Sequence, residues 1–296
     1  MRLVSDEPVI DVVVPTYNEE RNIARLLASI RSQEGCRYRV VVVDQGSSDR
    51  TAEIVRSHGW PVIDVPREAF YSPPARSRNL GARSTSGRIL LHLDADMELS
   101  SPSLLKRIVG VVDQGHDAVI IHEHDVALGF WAKCKALERS CYWNTEMESA
   151  RVVTRELFAL VGGYDEEVSS GEDLFITSLY RKHTDIGLDD ALVLDHHLGR
   201  LSLRRLLSKK YSYGRTVQKY LAKARIAGTG TSFDIVRTSL GAYLRSWRFL
   251  LRHPVLYLCI FPLRALELFA LQMGKWVAAR NELAVPPQSD ARSPNG

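Results

Sequence analysis

The chain has 296 residues, 45% hydrophobic and 25% charged, with a formal net charge of +4. This ordinary globular composition leaves room for one large domain or a domain plus an appendage, and it excludes a chain too polar to build a core. The four cysteines, Cys36, Cys134, Cys141 and Cys259, contain no CxxC pair or metal-ligand spacing, which points away from a disulfide framework and toward reduced thiols in the cytosol.

The N-terminal stretch MRLVSDEPVIDVVVP puts acidic residues ahead of a short apolar run, unlike a secretory signal, so the body of the protein is expected to face the cytosol. Strands then alternate with helices. VIDVVVP (9–15) is a β-branched run, and YNEERNIARLLASIRSQ follows it with Asn18 as the expected N-cap and Ile23, Leu26, Leu27 and Ile30 on one helical face. RVVVVD (39–44) reads as a buried parallel strand, DRTAEIVRSH as a helix closed by Gly59, and WPVIDVP as a weaker strand. SRNLGARSTS is an expected helix closed by Gly87, and RILLHLDAD an expected central strand. Such alternation predicts an α/β protein with a mostly parallel, Rossmann-like sheet flanked by helices, binding ligands at the carboxyl ends of its strands. Beyond residue 100 the periodicity predicts a helix over 104–115, one strand over 117–126 (DAVIIHEHDV), an aromatic-striped helix from Phe130, a strand and short helix from Ala150, a helix entered through Gly171, Glu172 and Asp173, and a last strand over 191–197.

After residue 200 the character changes. Residues 200–280 hold sixteen Lys and Arg against Asp234 and Glu267 alone, so the body is acidic and the tail basic. Arg and Lys interleave with Leu and Tyr at helical spacing, which predicts a basic amphipathic helical tail. Only 11 residues between Arg252 and Arg264 lack charge, whereas a membrane span needs about 20 apolar residues, so the expectation is a helix lying on an anionic membrane surface. The predicted organisation is a body over 1–200, a membrane-associating helical region over 201–283 and a disordered end over 284–296, the whole peripheral on the cytoplasmic, inner face of the cell membrane. Nucleic acid is not an expected partner, because the body is acidic and long apolar stretches break the tail.

The run LLHLDADMELS (90–100) carries the first chemistry. On a strand, Asp94 and Asp96 would project from one face about 6 to 7 Å apart. Like charges that close call for a cation, and hard divalent cations such as Mn²⁺ or Mg²⁺ take carboxylate oxygens and share their remaining positions with phosphates. A diphosphate ligand follows. Thr16, Tyr17 and Glu19 leave the first strand, and Asp44, Gly46 and Ser47 the second, where backbone amides and a carboxylate suit a nucleotide. His122 and His124 alternate on one face without partners and read as structural, as does His92.

Together VVVPTYNEERNIARLL, VVVVDQGSSDRTAEIV, ARSRNLGARSTSGRILLHLDADMEL and GGYDEEVSSGEDLFI resemble the family 2 glycosyltransferases, which have the GT-A fold and use nucleotide sugars. The resemblance covers residues 9–197. It implies that Pro15, Thr16, Tyr17 and Glu19 line the base and ribose, that Asp44 meets the base, usually uracil, with Gly46 and Ser47 beside it, and that Arg78 and Asp94 lie near the nucleotide. It further implies a cation held by Asp96, with Asp94 and a histidine after the last strand, His196 or His197, the latter placed in the expected ligand set. Asp173 falls on the general base, with Glu172 beside it. An inverting transfer of one sugar is implied, since the QxxRW motif of processive synthases is absent. The acceptor is expected to be lipid-linked or a glycan. A nucleotidyltransferase would need a glycine-rich phosphate loop with Lys or Arg after the first strand, which PTYNEER lacks, and a non-catalytic nucleotide-sugar-binding membrane adaptor would not need Asp94, Asp96 and Asp173.

Overall fold

A computed structural model describes residues 9–66, 74–168, 171–228 and 241–284; most of the end read as disordered, and Asp234, lie outside these residues. The first strands form as the β-branched runs predict: β1 (Ile10–Thr16), β2 (Tyr38–Asp44), β3 (Val62–Asp64) and β4 (Ile89–His92). They pair in parallel, with Val12 opposite both Val40 and Leu91. Two further strands, β6 (Ala118–Ile120) and β8 (Ala150–Thr154), extend the sheet with β8 running antiparallel, giving the order β3-β2-β1-β4-β8-β6. Strand alternation splits each run between two cores. Ile10, Val12 and Val14 face helices α1 (Ile23–Arg31) and α4 (Leu104–Asp113), and Val13, Val41 and Leu90 face α3 (Pro74–Arg83) and α6 (Arg155–Leu160). Each large apolar side chain so buried contributes about 1.5–3 kcal/mol. A short α2 (Thr51–Ser57) completes the repeating units, and the four cysteines are free thiols.

Three local expectations change. The helix after β1 starts at Ile23, and Asn18 instead adopts φ 55°, a left-handed turn conformation that asparagine tolerates. The expected strand over 117–126 is two strands in different sheets: β6 pairs with β8, whereas β7 (His122–Leu128) joins a three-stranded sheet ordered β5-β9-β7 with β5 (Met97–Leu99) and β9 (Val193–Arg200). No glycine or proline marks that switch. The aspartate pair does not stand on a strand either. β4 ends at His92, and residues 94–97 make a turn closed by Met97 N–H donating to the Asp94 carbonyl at 3.1 Å.

The body is completed by α5 (Phe130–Ser140) and α7 (Glu172–Tyr180), and the chain continues in α8 (Leu203–Ile226), α9 (Trp247–Leu251) and α10 (Pro254–Ala284). Ser202 caps α8 by accepting from Arg205 N–H at 3.2 Å. Pro254–Arg280 is long and apolar enough to cross a membrane by length and composition, with a mean hydropathy of 1.7. The expectation of too short an apolar run counted Arg264 and Glu267 as interruptions. Both turn toward α5, where Arg264 Nε lies 3.2 Å from Glu138 and Lys135 Nζ lies 2.6 Å from Glu138 and 3.2 Å from Glu267. Their charges are satisfied internally, so the outer face of α10 keeps its apolar character.

α8 and α10 touch backbone to backbone. A Cβ on Gly214 would lie 2.1 Å from the Leu271 carbonyl oxygen, and one on Gly274 2.1 Å from that of Tyr211. Gly214→Ala or Gly274→Ala is expected to force the helices apart and destabilise the protein by about 1–3 kcal/mol. Gly110→Ala, on an exposed position of α4 with open space around it, should instead stabilise by about 0.5–1 kcal/mol. Chemical denaturation of the three variants checks both signs.

Candidate active site

The loops leaving β1, β2 and β4 open into a cavity of about 1550 Å³ whose opposite walls come from the start of α7, from β7 to β9 and from α8. At the ends of β1 and β2 the wall is Pro15, Thr16, Tyr17, Glu19 and Gln45. Asp44, Gly46 and Ser47 stand behind that wall. The Asp44 carboxylate accepts from Thr16 Oγ1 (3.0 Å), from Ser47 Oγ (2.6 Å) and from Ser47 N–H (2.9 Å). Asn18 N–H donates to Ser47 Oγ, and Asn18 Oδ1 accepts from Ser48 N–H. These bonds staple the two strand-end loops together, and Gly46, at φ 71°, makes the turn that lets them meet. Glu19 has its carboxyl raised by burial, against a hydrogen bond from Asn22.

Arg78 lies at the centre. It is 2% exposed, and its guanidinium reaches Asp94 Oδ1 at 2.7 Å, Asp173 Oδ1 at 2.9 Å and Glu172 Oε1 at 3.2 Å, with the Tyr164 ring 5.2 Å away. The β4–β5 turn and the N-terminus of α7, 79 residues apart from Asp94 to Asp173, are therefore joined by one side chain. A second arginine, Arg151 on β8, holds the other oxygen of Asp94 at 3.2 Å and Glu123 Oε1 at 2.6 Å. Burial opposes ionisation of Asp94, but Arg151 and Arg78 outweigh it and hold the carboxyl down at about 2. Glu123 is likewise kept well below the carboxylate range, burial being overcome by Arg151 and Arg139. Glu172 moves the other way: burial raises it, and the neighbouring Asp173 charge adds to the rise.

The two histidines, expected after the last strand, lie within β9 and are separated by strand alternation. His197, expected at the cation, meets Glu98 at 2.8 Å, and its neighbour His196 takes the cavity side, with Nε2 3.4 Å from Asp96 Oδ2 and Nδ1 3.0 Å from Asp125 Oδ1. Burial disfavours its charge, yet Asp125, Asp96 and Glu123 push His196 up to about 11. Of the three side chains expected to bind metal, Asp94 is taken by two arginines and His197 by Glu98, which leaves Asp96 beside His196. Glu123, Asp125 and His196 offer ligand atoms within 4.8 Å of one another, and the two oxygens of Asp125 lie 3.0 Å from His196 Nδ1 and 3.1 Å from Arg139 Nε. Carboxylate oxygens suit Mn²⁺ or Mg²⁺; Glu123 is held by Arg139 and Arg151, which leaves Asp96 and Asp125 as the donors, and His196 would join them only as the neutral imidazole.

Glu123, Arg139 and Arg151 were not anticipated. Arg151 is signalled only by a charge inside the apolar run SARVVT, Glu123 lies in the polar run HEHD and Arg139 in the charged end of CKALERS. Replacing Arg78 by Met should leave three carboxylates facing one another without their cation and cost about 3–5 kcal/mol. Arg83→Met, which removes an exposed contact to Glu166 at 3.8 Å, should change stability by less than about 0.5 kcal/mol. Urea unfolding of the pair distinguishes a central ion pair from surface charge.

Comparison with known proteins gives a consistent picture. The family model described as Glycosyl transferase family 2 matches residues 11–158. An uncharacterised glycosyltransferase of Haemophilus influenzae is 26% identical over 184 residues, 56% of this chain and 59% of the relative. An undecaprenyl-phosphate 4-deoxy-4-formamido-L-arabinose transferase of Edwardsiella ictaluri is 34% identical over 127 residues, 37% of this chain and 35% of the relative. The matches thus span well under two thirds of these relatives' lengths. Among solved structures, the mannosyltransferase PcManGT of Pyrobaculum calidifontis, in complex with GDP-Man and Mn²⁺, superposes with a TM-score of 0.60 at 20% identity, covering 95% of this chain and 88% of that one. That likeness shows a shared fold.

Proposed function

The chain belongs to glycosyl transferase family 2, and from that premise we propose that it is an inverting glycosyltransferase moving a single sugar from a nucleotide diphosphate donor, UDP-linked in the first instance, to a lipid-linked acceptor at the membrane. The observation that carries this reading is the convergence on Arg78 of Asp94 from the β4–β5 turn with Glu172 and Asp173 from α7, inside a cavity also lined by the loops leaving β1 and β2.

In this reading Pro15, Thr16, Tyr17, Glu19 and Gln45 receive the nucleoside, and Asp44, Gly46 and Ser47 hold that wall in shape. Asp96 and His196, with Asp94 nearby, would hold a divalent cation, which would offset the negative charge growing on the diphosphate. Arg78 lies between donor and base and keeps Asp173 oriented. The acceptor hydroxyl oxygen attacks the anomeric carbon from the side opposite the diphosphate. The bond from that carbon to the diphosphate oxygen breaks with its electron pair, and Asp173 takes the hydroxyl proton. One displacement inverts the anomeric centre.

The acceptor side rests on two supports. The Edwardsiella relative is named for a lipid phosphate, and the outer face of α9 and α10 leaves Trp247, Leu258, Phe269 and Trp276 from 49% to 67% exposed. A contiguous apolar face of this kind, bordered by Arg248 and Arg280 against the two tryptophan rings, fits the headgroup region of a bilayer. The body then sits peripherally on the inner leaflet.

Asp173→Asn is expected to lower sugar transfer by about 10²–10⁴-fold with donor affinity unchanged, and the wild-type product should have the inverted anomeric configuration. Transfer of labelled sugar from UDP-linked donors into a membrane lipid extract, with NMR of the product, measures both. Turnover by the variant within tenfold of wild type would remove Asp173 from the base role.

A further inference from the structure

The sheet order gives the cavity two sides. The loops read as receiving the nucleoside leave β1 and β2, Asp94 follows β4, and beyond β4 come β8 and β6. Because β8 runs antiparallel, its first residue, Ala150, stands near the carboxyl ends of the parallel strands and pairs with Ile120 of β6. The segment leading into it supplies Trp143, Met147, Glu148 and Ser149 to the cavity wall. At the usual strand spacing β8 and β6 lie about 10–14 Å from β1. Asp94 lies between these two walls, so the Trp143 wall is on the side away from the nucleoside.

Trp143 is held rigidly yet left open. One face of its indole stacks on the His122 ring, with centroids 4.6 Å apart and an angle of 18°, and its Nε1–H donates to the Glu123 carbonyl at 3.3 Å. His122 is fully buried, and its Nδ1 meets Glu148 Oε1 at 2.7 Å. The other oxygen of Glu148 accepts from Asn144 N–H at 2.6 Å. Glu148 therefore fixes both the ring behind Trp143 and the residue after it. The histidine that reads as structural in the sequence serves as the backing of an aromatic plate. Trp143 nonetheless stays 39% exposed, and with one face covered it presents the other to the cavity.

A flat apolar plate bordered by a carboxylate and the Ser149 hydroxyl matches a pyranose ring, which has a C–H face to stack and hydroxyls at its rim to hydrogen-bond. A hydrocarbon chain offers only the first of these and an open-chain polyol only the second. The wall is also tied to the base. Ala150 N–H donates to Thr177 Oγ1 at 2.9 Å, and that hydroxyl donates to the Asp173 carbonyl at 2.6 Å. A ring seated on Trp143 is thereby registered against the first turn of α7.

We propose that Trp143 is the platform for a pyranose ring of the acceptor, so that the attacking hydroxyl belongs to a saccharide unit and Trp143 sets acceptor specificity without touching the reacting atoms. This deepens the glycosyltransferase reading and rests on it for the word acceptor; ring binding itself is measured without turnover.

The full chain, in detergent micelles free of sugar headgroups, is titrated with the methyl pyranosides of glucose, galactose, mannose and N-acetylglucosamine, and with ribitol and farnesol as comparators. Fluorine NMR of fluorotryptophan-labelled protein follows binding, the resonance missing from Trp143→Phe being that of Trp143. At least one pyranoside should shift this resonance and bind about tenfold more tightly than ribitol, the size of one aromatic stacking contact. Trp143→Leu should lose about tenfold for that pyranoside, and Trp143→Phe, which keeps a flat ring, should retain most of the affinity. Affinity for UDP-linked sugars should be equal in all three proteins, which also shows that the variants fold; should Trp143→Leu not fold, the wild-type resonance and Trp143→Phe decide. No shift with any pyranoside, ribitol binding as tightly, or an unaffected Trp143→Leu overturns the proposal. A larger shift with farnesol makes Trp143 a lipid contact, and a Trp143→Leu variant weakened for UDP-linked sugars but not for UDP makes it a donor-sugar contact; each overturns it. Donor binding without pyranoside binding removes this site and leaves the glycosyltransferase reading standing. Pyranoside binding at Trp143 without any donor binding fails that reading and leaves the site.

Discussion

A buried guanidinium cannot be left without anions, and Arg78 is buried almost completely. Its neutralisation dictates the centre of the molecule. The next residue, Asn79, accepts from Tyr164 N–H at 2.9 Å and donates to the Tyr164 carbonyl at 2.8 Å, which ties α3 to the loop leading into α7. Arg78 then draws together the turn after β4 and the first turn of α7, so that two acidic groups remote in sequence share one cation. Arg151 extends the arrangement through Asp94 to Glu123, and Arg139 and His196 carry it to Asp125 and Asp96. Each of these carboxylates has a cation neighbour, which offsets the mutual repulsion of so many acidic groups on one wall.

The contrast between an acidic body and a basic tail gains a physical meaning from this arrangement. α8 lines the cavity with Arg204, Arg205, Lys209 and Arg215, none of them ion-paired with the acidic wall among the described residues. The buried cluster of Lys135, Glu138, Arg264 and Glu267 fastens α10 to α5, and the Gly214–Gly274 contact fastens α8 to α10. The helix with the exposed apolar face and the helix over the reacting groups therefore form one unit.

Much of the fold was legible in the sequence because it depends on local periodicity. The runs VIDVVVP and RVVVVD are β-branched and bounded by turn residues, and helix spacing in IARLLASI is unambiguous. Where the outcome depends on tertiary pairing, the sequence is silent. DAVIIHEHDV carries no breaker, so nothing local announces that its halves belong to different sheets. Asp94 and Asp96 read naturally as a strand pair, yet the strand ends at His92 although β1 and β8 both continue beyond it, and residues 94–97 turn instead. The choice between His196 and His197 depends on the register of β9, which neither histidine encodes. Arg264 and Glu267 interrupt the apolar run as text, and only packing against α5 removes the interruption. The site residues carried by motif, Arg78, Asp94, Asp96, Glu172 and Asp173, could be named from the sequence. Those supplied by β7, α5 and β8, Glu123, Arg139 and Arg151, could not, since a charge on a strand or helix says nothing by itself of what it faces.

The central claim is that the strand-end loops and the turn holding Asp94 and Asp96 form a nucleotide-sugar site that needs a divalent cation. Calorimetric titration of the full chain with UDP- and GDP-linked sugars, in Mn²⁺ and in chelator, on the wild type and on Asp96→Ala, tests it most directly. The account predicts that one donor class binds in Mn²⁺, that chelation abolishes binding, and that Asp96→Ala weakens it at least tenfold. Absence of binding to either donor, or binding of equal strength without metal and without the Asp96 carboxylate, would contradict it.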